Sequence, residues 1–265
     1  MILITGATGN IGSELVKLLD GQNIRTMIRS EGTGDFNDPA SVEKALQGIE
    51  RAFLLTNSSE QAEQQQLSFV ALAKKAGVKH IVKLSQWSAD VNSPVRFLRY
   101  HAVVENKIRE SGMTYTFLRP NLFMQGLLDF VHEGKFFAPI GDAKISMVDI
   151  RDIAAVAAAA LTETGHENKI YNLTGPAAIT HQQIAEELST ALNKKITFIN
   201  VTPPDMRAAL SQIHFPEWQA DGLIEDYAHY AKNEAASVET GVLEATGKTP
   251  RSFAEFARDY APAFK

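Results

Sequence analysis

The chain contains no cysteine. Disulfides, thiol catalysis and cysteine-based zinc sites are therefore excluded. Long apolar runs are also missing. The longest, Ile153 to Leu161, is too short and too rich in alanine to span a bilayer, so no membrane partner is expected. There is no excess of positive charge either. Lys and Arg number 26 against 31 Asp and Glu, for a net charge of −5. Without a basic field, nucleic acid is not an expected partner. No internal repeat or low-complexity linker interrupts the sequence. An apolar strand begins at Ile2, which leaves no room for a signal peptide, so a cytoplasmic protein is expected. The residues His132, His166, His181, His214 and His229 have no tight ligand spacing with carboxylates, and no metal site is expected. No Gly-x-Ser-x-Gly elbow surrounds Ser85, which argues against a serine hydrolase.

What the chain does have is 265 residues, 45% of them hydrophobic, enough for one domain or two closely fused ones. The informative stretch is its start. Ile2, Leu3 and Ile4 form a short apolar run, as in a strand buried on both faces. Gly6, Gly9 and Gly12 follow at three-residue spacing. Ser13 to Leu19 then carries apolar residues at helical spacing. Strand, glycine turn and helix in that order make a dinucleotide loop. Gly6 permits a tight turn, Gly9 lets backbone amides approach a diphosphate, and Gly12 lets helix and strand pack closely. Free N–H groups at the helix start face the phosphate charge. Thr8, Asn10 and Ile11 lie where side chains or amides meet the ligand.

The second strand, Ile24 to Arg29, ends in Arg29 and Ser30. An acid at that end would bind a ribose 2′-hydroxyl and favour NAD(H). An arginine there is a donor fork for a 2′-phosphate, so NADP(H) is the expected cofactor over NAD(H). Asp35 and Phe36 are placed to bracket an adenine ring. The same stretch also reads as a turn before a helix at Ala40 to Leu46, with Asp38 as its cap. Arg51 to Thr56 is the next strand, and its carboxyl end makes Thr56 and Asn57 candidates for the nicotinamide ribose or the diphosphate. A helix runs from the glutamine-rich Glu60–Gln66 segment to Ala76. Val78 to Leu84 is a strand with Ser85, Gln86 and Trp87 at its mouth, facing the nicotinamide pocket. The order continues with a helix after Ser93-Pro94, a strand at Thr114 to Leu118, a short helix at Leu122 to Val131 and a loop at Gly134 to Gly141. A short strand at Ile145 to Val148 precedes a helix at Ile153 to Leu161. Asp149 and Asp152 flank that helix, and capping explains them better than catalysis. Strands at Lys169 to Leu173 and Lys195 to Val201 enclose a helix at Gln182 to Leu192. The remainder is mostly helical.

Taken together, these segments resemble the NmrA-like members of the atypical short-chain dehydrogenase/reductase superfamily, and within it the bacterial quinone and triphenylmethane dye reductases. The resemblance covers almost the whole chain. It is carried by Thr5 to Gly12, Gly34-Asp-Phe36, Lys83-Leu-Ser85, His101 to Glu105, Thr116 to Asn121, Val148 to Asp152 and Gly247 to Phe253. It implies an α/β fold, a Rossmann-type doubly wound parallel sheet, with a smaller, mostly helical C-terminal part covering a substrate cleft. Residues 1–150 would form the nucleotide-binding domain. Residues 151–265 would complete the sheet and cover the cleft, interleaved with the first part. The glycine loop would hold the diphosphate of NADP(H) and Arg29 the 2′-phosphate. Thr56, Asn57, Ser58 and Ser85 would approach the ribose–nicotinamide end, with Asn121 and Phe123 near the nicotinamide and substrate.

Two departures from the group are visible. Many relatives carry a helix and an edge strand before Gly-Asp-Phe, where this chain has only Ser30 to Gly34. The edge strand should be absent and the adenine pocket more open. Conventional relatives also carry Tyr-x-x-x-Lys, whose tyrosine exchanges a proton with a substrate oxygen. Here His101 and Glu105 stand in those places. Tyr100 is one residue early, about 100° around the helix. Carbonyl reduction by that pair is thus disfavoured. A quinone or extended cationic dye accepts hydride with little help, given an acceptor stacked on the nicotinamide and shielded from water. Gln86, Trp87, Phe123 and Met124 would line such a slot. His101 is either a proton donor to a quinone oxygen or a helix residue paired with Glu105. The expected partner is a small-molecule acceptor, and the chain is expected to act as a monomer or homodimer. The alternative is a non-enzymatic regulator that senses NADP(H).

Overall fold

The computed structural model describes residues 1–264. β1 (Ile2–Thr5) runs through the glycine turn into α1 (Asn10–Leu18). β2 (Ile24–Met27), α2 (Pro39–Leu46), β3 (Arg51–Leu54), α3 (Ala62–Lys75) and β4 (His80–Leu84) follow. Then come α4 (Arg96–Ser111), β5 (Thr114–Pro120), α5 (Leu127–Phe130), β6 (Lys135–Ala138) and β7 (Lys144–Ile145). α6 (Ile150–Thr162) and β8 (Lys169–Leu173) return to the first sheet. β9 (Ile179–Thr180), α7 (His181–Leu192), β10 (Thr197–Asn200), α8 (Pro203–Gln212), α9 (Glu217–Tyr230), α10 (Gly241–Thr246) and α11 (Phe253–Asp259) complete the order.

The main sheet has six strands in the order β2-β1-β3-β4-β5-β8, and every neighbouring pair is parallel. A parallel sheet needs helical crossovers, which cover both faces and explain the unbroken apolar strands. All residues of β1 and β4 are buried. One face is filled by Leu15 of α1 with Ile153 and Val156 of α6, the other by Phe69, Val104 and Phe117. A further core joins Phe136, Leu188, Tyr227 and Phe256 in the mainly helical C-terminal part. β2 lies at the sheet edge, and among the described residues no strand pairs outside it, as expected from the short Ser30 to Gly34 segment. The order turns about β1, which has β2 on one side and β3 on the other. Open α/β sheets bind ligands beyond the strand carboxyl ends at such a switch point.

Two expected segments differ. The supposed loop at Gly134 to Gly141 contains β6, which pairs in parallel with β10, Phe136 opposite Phe198. Phe136 is buried and Phe137 exposed, the alternation of a strand. The helix expected at Leu122 to Val131 is a 3₁₀ turn at Met124–Gly126 followed by the single turn of α5. The boundary expected at residue 150 falls just before α6, which packs on α1, and before β8, which pairs with β5.

Candidate functional site

The glycine loop has the geometry its residues dictate. Gly6 sits at φ +66°, in the left-handed region, and a Cβ there would lie 2.9 Å from the Leu55 side chain at the exit of β3. A Cβ on Gly12 would lie 2.0 Å from the Gly6 carbonyl oxygen, so only glycine fits that helix turn. Gly9 differs. Its φ and ψ are −79° and 171°, open to any residue, and a Cβ would meet only the Gly6 oxygen, at 3.4 Å. Space therefore remains above it. Gly9 caps α1 with no side-chain hydrogen bond, and the first turn has no acidic residue. The opening amides of α1 are left for a ligand, and the helix dipole favours an anion there. Thr8 and Asn10 are exposed beside them, whereas the Ile11 side chain is buried in the core and offers only its amide. The Thr5 hydroxyl accepts from the Leu55 N–H at 2.8 Å and donates to the Leu55 carbonyl at 2.9 Å, tying the loop to β3.

On the adenosine side, Arg29 follows β2 in a 3₁₀ turn and is exposed. Among the described residues its guanidinium has no hydrogen bond or ion pair, which suits a group awaiting a phosphate. Asp35 and Phe36 are engaged locally. The Asp35 carboxylate accepts from the Asn37 N–H at 2.9 Å. The half-buried Phe36 ring is tilted on Phe69, centroids 5.8 Å apart. Both residues belong to the turn before α2, which Asp38 caps through the Ala40 N–H, and both are only partly buried, so the turn and the adenine contact can coexist. Beyond β3, Thr56 accepts from Gln66 at 2.8 Å, Asn57 is exposed, and the Ser58 carbonyl accepts from Gln219 of α9.

Under the exits of β4 and β5 lies a buried polar network. The Glu105 carboxylate is fully buried and accepts from Ser85 Oγ at 2.6 Å, from Arg119 at 2.9 and 2.6 Å, and from Arg109 at 3.2 Å. Lys83, also fully buried, donates to the Leu84 carbonyl at 2.9 Å and is hydrogen-bonded with His101 Nδ1 at 2.7 Å. Burial drives Lys83 down to about 7, against the pull of the Glu105 charge, with Arg119 pushing the same way as burial. His101 is lowered well below its ordinary value by burial first, then by Lys83 and Arg119. The expected pairing with Glu105 is corrected: His101 Nδ1 lies against Lys83 instead, and burial favours the neutral ring. Tyr100 is buried too, and burial raises its phenol well above the usual range, with Ser58 pulling the other way.

Gln86 and Trp87 line a narrow, partly open cleft beyond β4 and β5, together with Pro120, Asp226 and Tyr230. Asn121 borders this cleft. Nδ2 donates to Ser146 Oγ at 3.0 Å and to the Ala235 carbonyl at 2.9 Å, and Oδ1 accepts from the Leu122 N–H. The side chain thus braces the cleft, with one lone pair of Oδ1 left to accept. Phe123 is half-buried against the core shared by α1 and α6. Met124 faces away, in the C-terminal core, and borders a separate cavity with Met147 and Phe253. Met124 opens the 3₁₀ turn, and its side chain is packed into that core and is not part of the cleft wall at Gln86 and Trp87. Asp149 caps α6, accepting from the Arg151 N–H at 2.8 Å, while Asp152 pairs with Arg251. Among the described residues no group of His, Asp and Glu has a metal-binding arrangement, and no helix is long and apolar enough to cross a membrane.

Sequence reasoning missed Asp226 and Tyr230, which lie on α9 with no motif around them. It noted Lys83 only as part of a shared segment, although a lysine inside the run Ile81-Val-Lys-Leu84 signals a buried charge needing a partner.

A parallel sheet with a bare, uncapped glycine turn at its switch point defines a dinucleotide-binding protein of Rossmann type. Residues 1–257 match the model of the NmrA-like family, and the chain belongs to that family. The NAD(P)H azoreductase of Xenophilus azovorans is 36% identical over 283 positions, covering 100% of this chain and 99% of its own length. The NADPH-dependent quinone oxidoreductase of Escherichia coli, solved in complex with NADPH, matches with a TM-score of 0.87 at 30% identity. That match covers 98% of this chain and 99% of the other. The Citrobacter triphenylmethane reductase complexed with NADP(H) matches with a TM-score of 0.86 at 26% identity, over 98% and 100% of the two chains.

Proposed function

We propose that this protein carries hydride from NADPH to a quinone-like or otherwise conjugated small molecule seated beside Gln86 and Trp87. That it is an NAD(P)H-dependent oxidoreductase of small organic molecules follows from the family and from relatives described as reductases over their full lengths. The observation that carries the reading is the uncapped start of α1 above Gly9, at the same end of the sheet as the cleft beyond β4 and β5. The residues present fit a dinucleotide. Thr8 to Gly12 would hold the diphosphate, Arg29 the 2′-phosphate, and Thr56, Asn57, Ser58 and Ser85 the ribose–nicotinamide end. NADPH, when bound, supplies the hydride. The chain's own part is to position and to exclude water. Glu105 fixes the Ser85 hydroxyl, Trp87, Leu98 and Pro120 give apolar walls, Phe123 would stand near the nicotinamide, and α9 is held over the cleft by Gln219 and Gln86. No observation here favours the sensor alternative.

The test is NADPH oxidation in the presence of a panel of quinones. Acceptor-dependent consumption of NADPH supports the reading. Tight NADPH binding without turnover of any acceptor would instead restore the sensor. Arg29→Ala should cost about 1.5–3 kcal/mol of NADPH binding, as expected for a hydrogen bond to a charged group, and spare NADH. Calorimetric titration of both nucleotides checks this. Equal losses for the two would remove Arg29 from the 2′-phosphate site.

A further inference from the structure

The cleft contains an acid that the reading above leaves unused. Asp226, on α9, is only 6% exposed and forms part of the cleft wall with Gln86, Trp87 and Tyr230. It is held in place from two sides. Gln86 Nε2 donates to both of its carboxyl oxygens at 3.1 Å. Its helix is pinned to α4 by Arg96, which meets Glu225 at 2.8 Å and lies 5.8 Å from the centre of the Trp218 ring. In the same wall the Trp87 indole N–H is buried and has no hydrogen-bond partner. A buried donor without a partner is costly, and a ligand acceptor atom would satisfy it.

The groups facing Asp226 are Glu225, Tyr227 and Tyr230 on its own helix, Tyr100 from α4 and Gln86 from the loop after β4. His229 and Glu234, paired with each other, stand at the cleft border. Among the described residues no cation pairs with Asp226. Burial, supported by the Glu225 charge, pushes its carboxyl up to about 7, while Gln86 and Tyr230 pull the other way. The acid form is therefore favoured far above the usual carboxylate range, as a general acid working near neutral pH requires.

We infer that Asp226 gives the proton that completes reduction of the acceptor, a task left vacant by the missing tyrosine–lysine pair. This rests on the reductase reading. A quinone takes two electrons and one proton as hydride from the bound cofactor. Its second proton comes from Asp226: the carboxyl O–H breaks as the phenol O–H forms. The products are hydroquinone, oxidised cofactor and an Asp226 carboxylate, which regains a proton from water.

Two acceptors separate this from a structural role. A quinone needs hydride and a proton, whereas a cationic triphenylmethane dye needs hydride alone. In Asp226→Asn, kcat for the quinone should fall about a hundredfold, the usual worth of a general acid, with kcat for the dye nearly unchanged. In the unmodified protein, kcat for the quinone should be level below pH 7 and fall tenfold per pH unit above it, because the acid form is lost as pH rises through about 7. The dye should show no such limb. Independently of turnover, infrared difference spectra of the cofactor-free protein should show a protonated-carboxyl band titrating near pH 7 and missing in Asp226→Asn. Equal losses on both acceptors, an unchanged quinone rate, or no such band would overturn the assignment. If only quinones react, the pH limb and the band decide it. If neither acceptor reacts with NADPH, the reductase reading falls and this role with it, while the band still reports whether Asp226 holds a proton.

Discussion

Gly9→Asp should weaken NADPH binding by roughly a thousandfold. A carboxylate about 4 Å from a diphosphate charge, at an effective dielectric of about 20, costs on the order of 4 kcal/mol. The substitution is informative because the fold tolerates it. The backbone of Gly9 is extended, and nothing but the Gly6 oxygen lies near its Cβ position. Gly9→Ala, which adds bulk without charge, should bind more weakly than the parent but more tightly than Gly9→Asp. Fluorescence titration with NADPH checks the order, and unfolding curves matching the parent show that the fold is kept. Gly12→Ala is a different experiment, since its methyl group collides with the Gly6 carbonyl and the turn itself cannot form. An affinity unchanged in Gly9→Asp would place the diphosphate elsewhere.

Glu105→Ala should destabilise the protein by about 3–5 kcal/mol, the range for breaking a buried ion pair by removing one partner. Glu105 is fully buried, and Arg119, 19% exposed, would lose its two short contacts. The Ser85 hydroxyl would lose its acceptor as well. Lys83 would be affected indirectly. The Glu105 charge now opposes its deprotonation, so without that charge Lys83 becomes neutral at a lower pH still. Urea denaturation at pH 7 measures the effect. Lys107→Ala, at an exposed site on the same helix, should change stability by less than about 0.5 kcal/mol. Equal midpoints for the two variants would mean that the network contributes little.

These two sites mark what could be read from the sequence. The glycine loop is a local object. Three residues set its backbone and the next turn of helix completes it, so the spacing between an apolar strand and a helix identified it. β8 was delimited at Lys169 and Leu173 for the same reason, a short apolar-rich run between polar turns. Glu105 is the opposite case. Its helical position four residues after His101 suggested a local pair with that ring, but its partners are Ser85 on the preceding strand exit, Arg119 on the following strand and Arg109 one turn further along the helix. The side chain took hydroxyl and guanidinium donors over the imidazole. Asp226 was beyond reach, since it meets Gln86 across 140 residues and no spacing records that. β6 was hidden because Gly134 and Pro139 enclose only four residues, and its pairing depends on β10, about sixty positions later.

The central claim is that bare amides at the start of α1 grip a nicotinamide dinucleotide carrying a 2′-phosphate. Calorimetric titration of the purified protein with NADPH tests it most directly. Saturable heat with one nucleotide per chain, and weaker binding of NADH, is the predicted result. No binding heat at any of several temperatures, with no change in nicotinamide fluorescence, would contradict it.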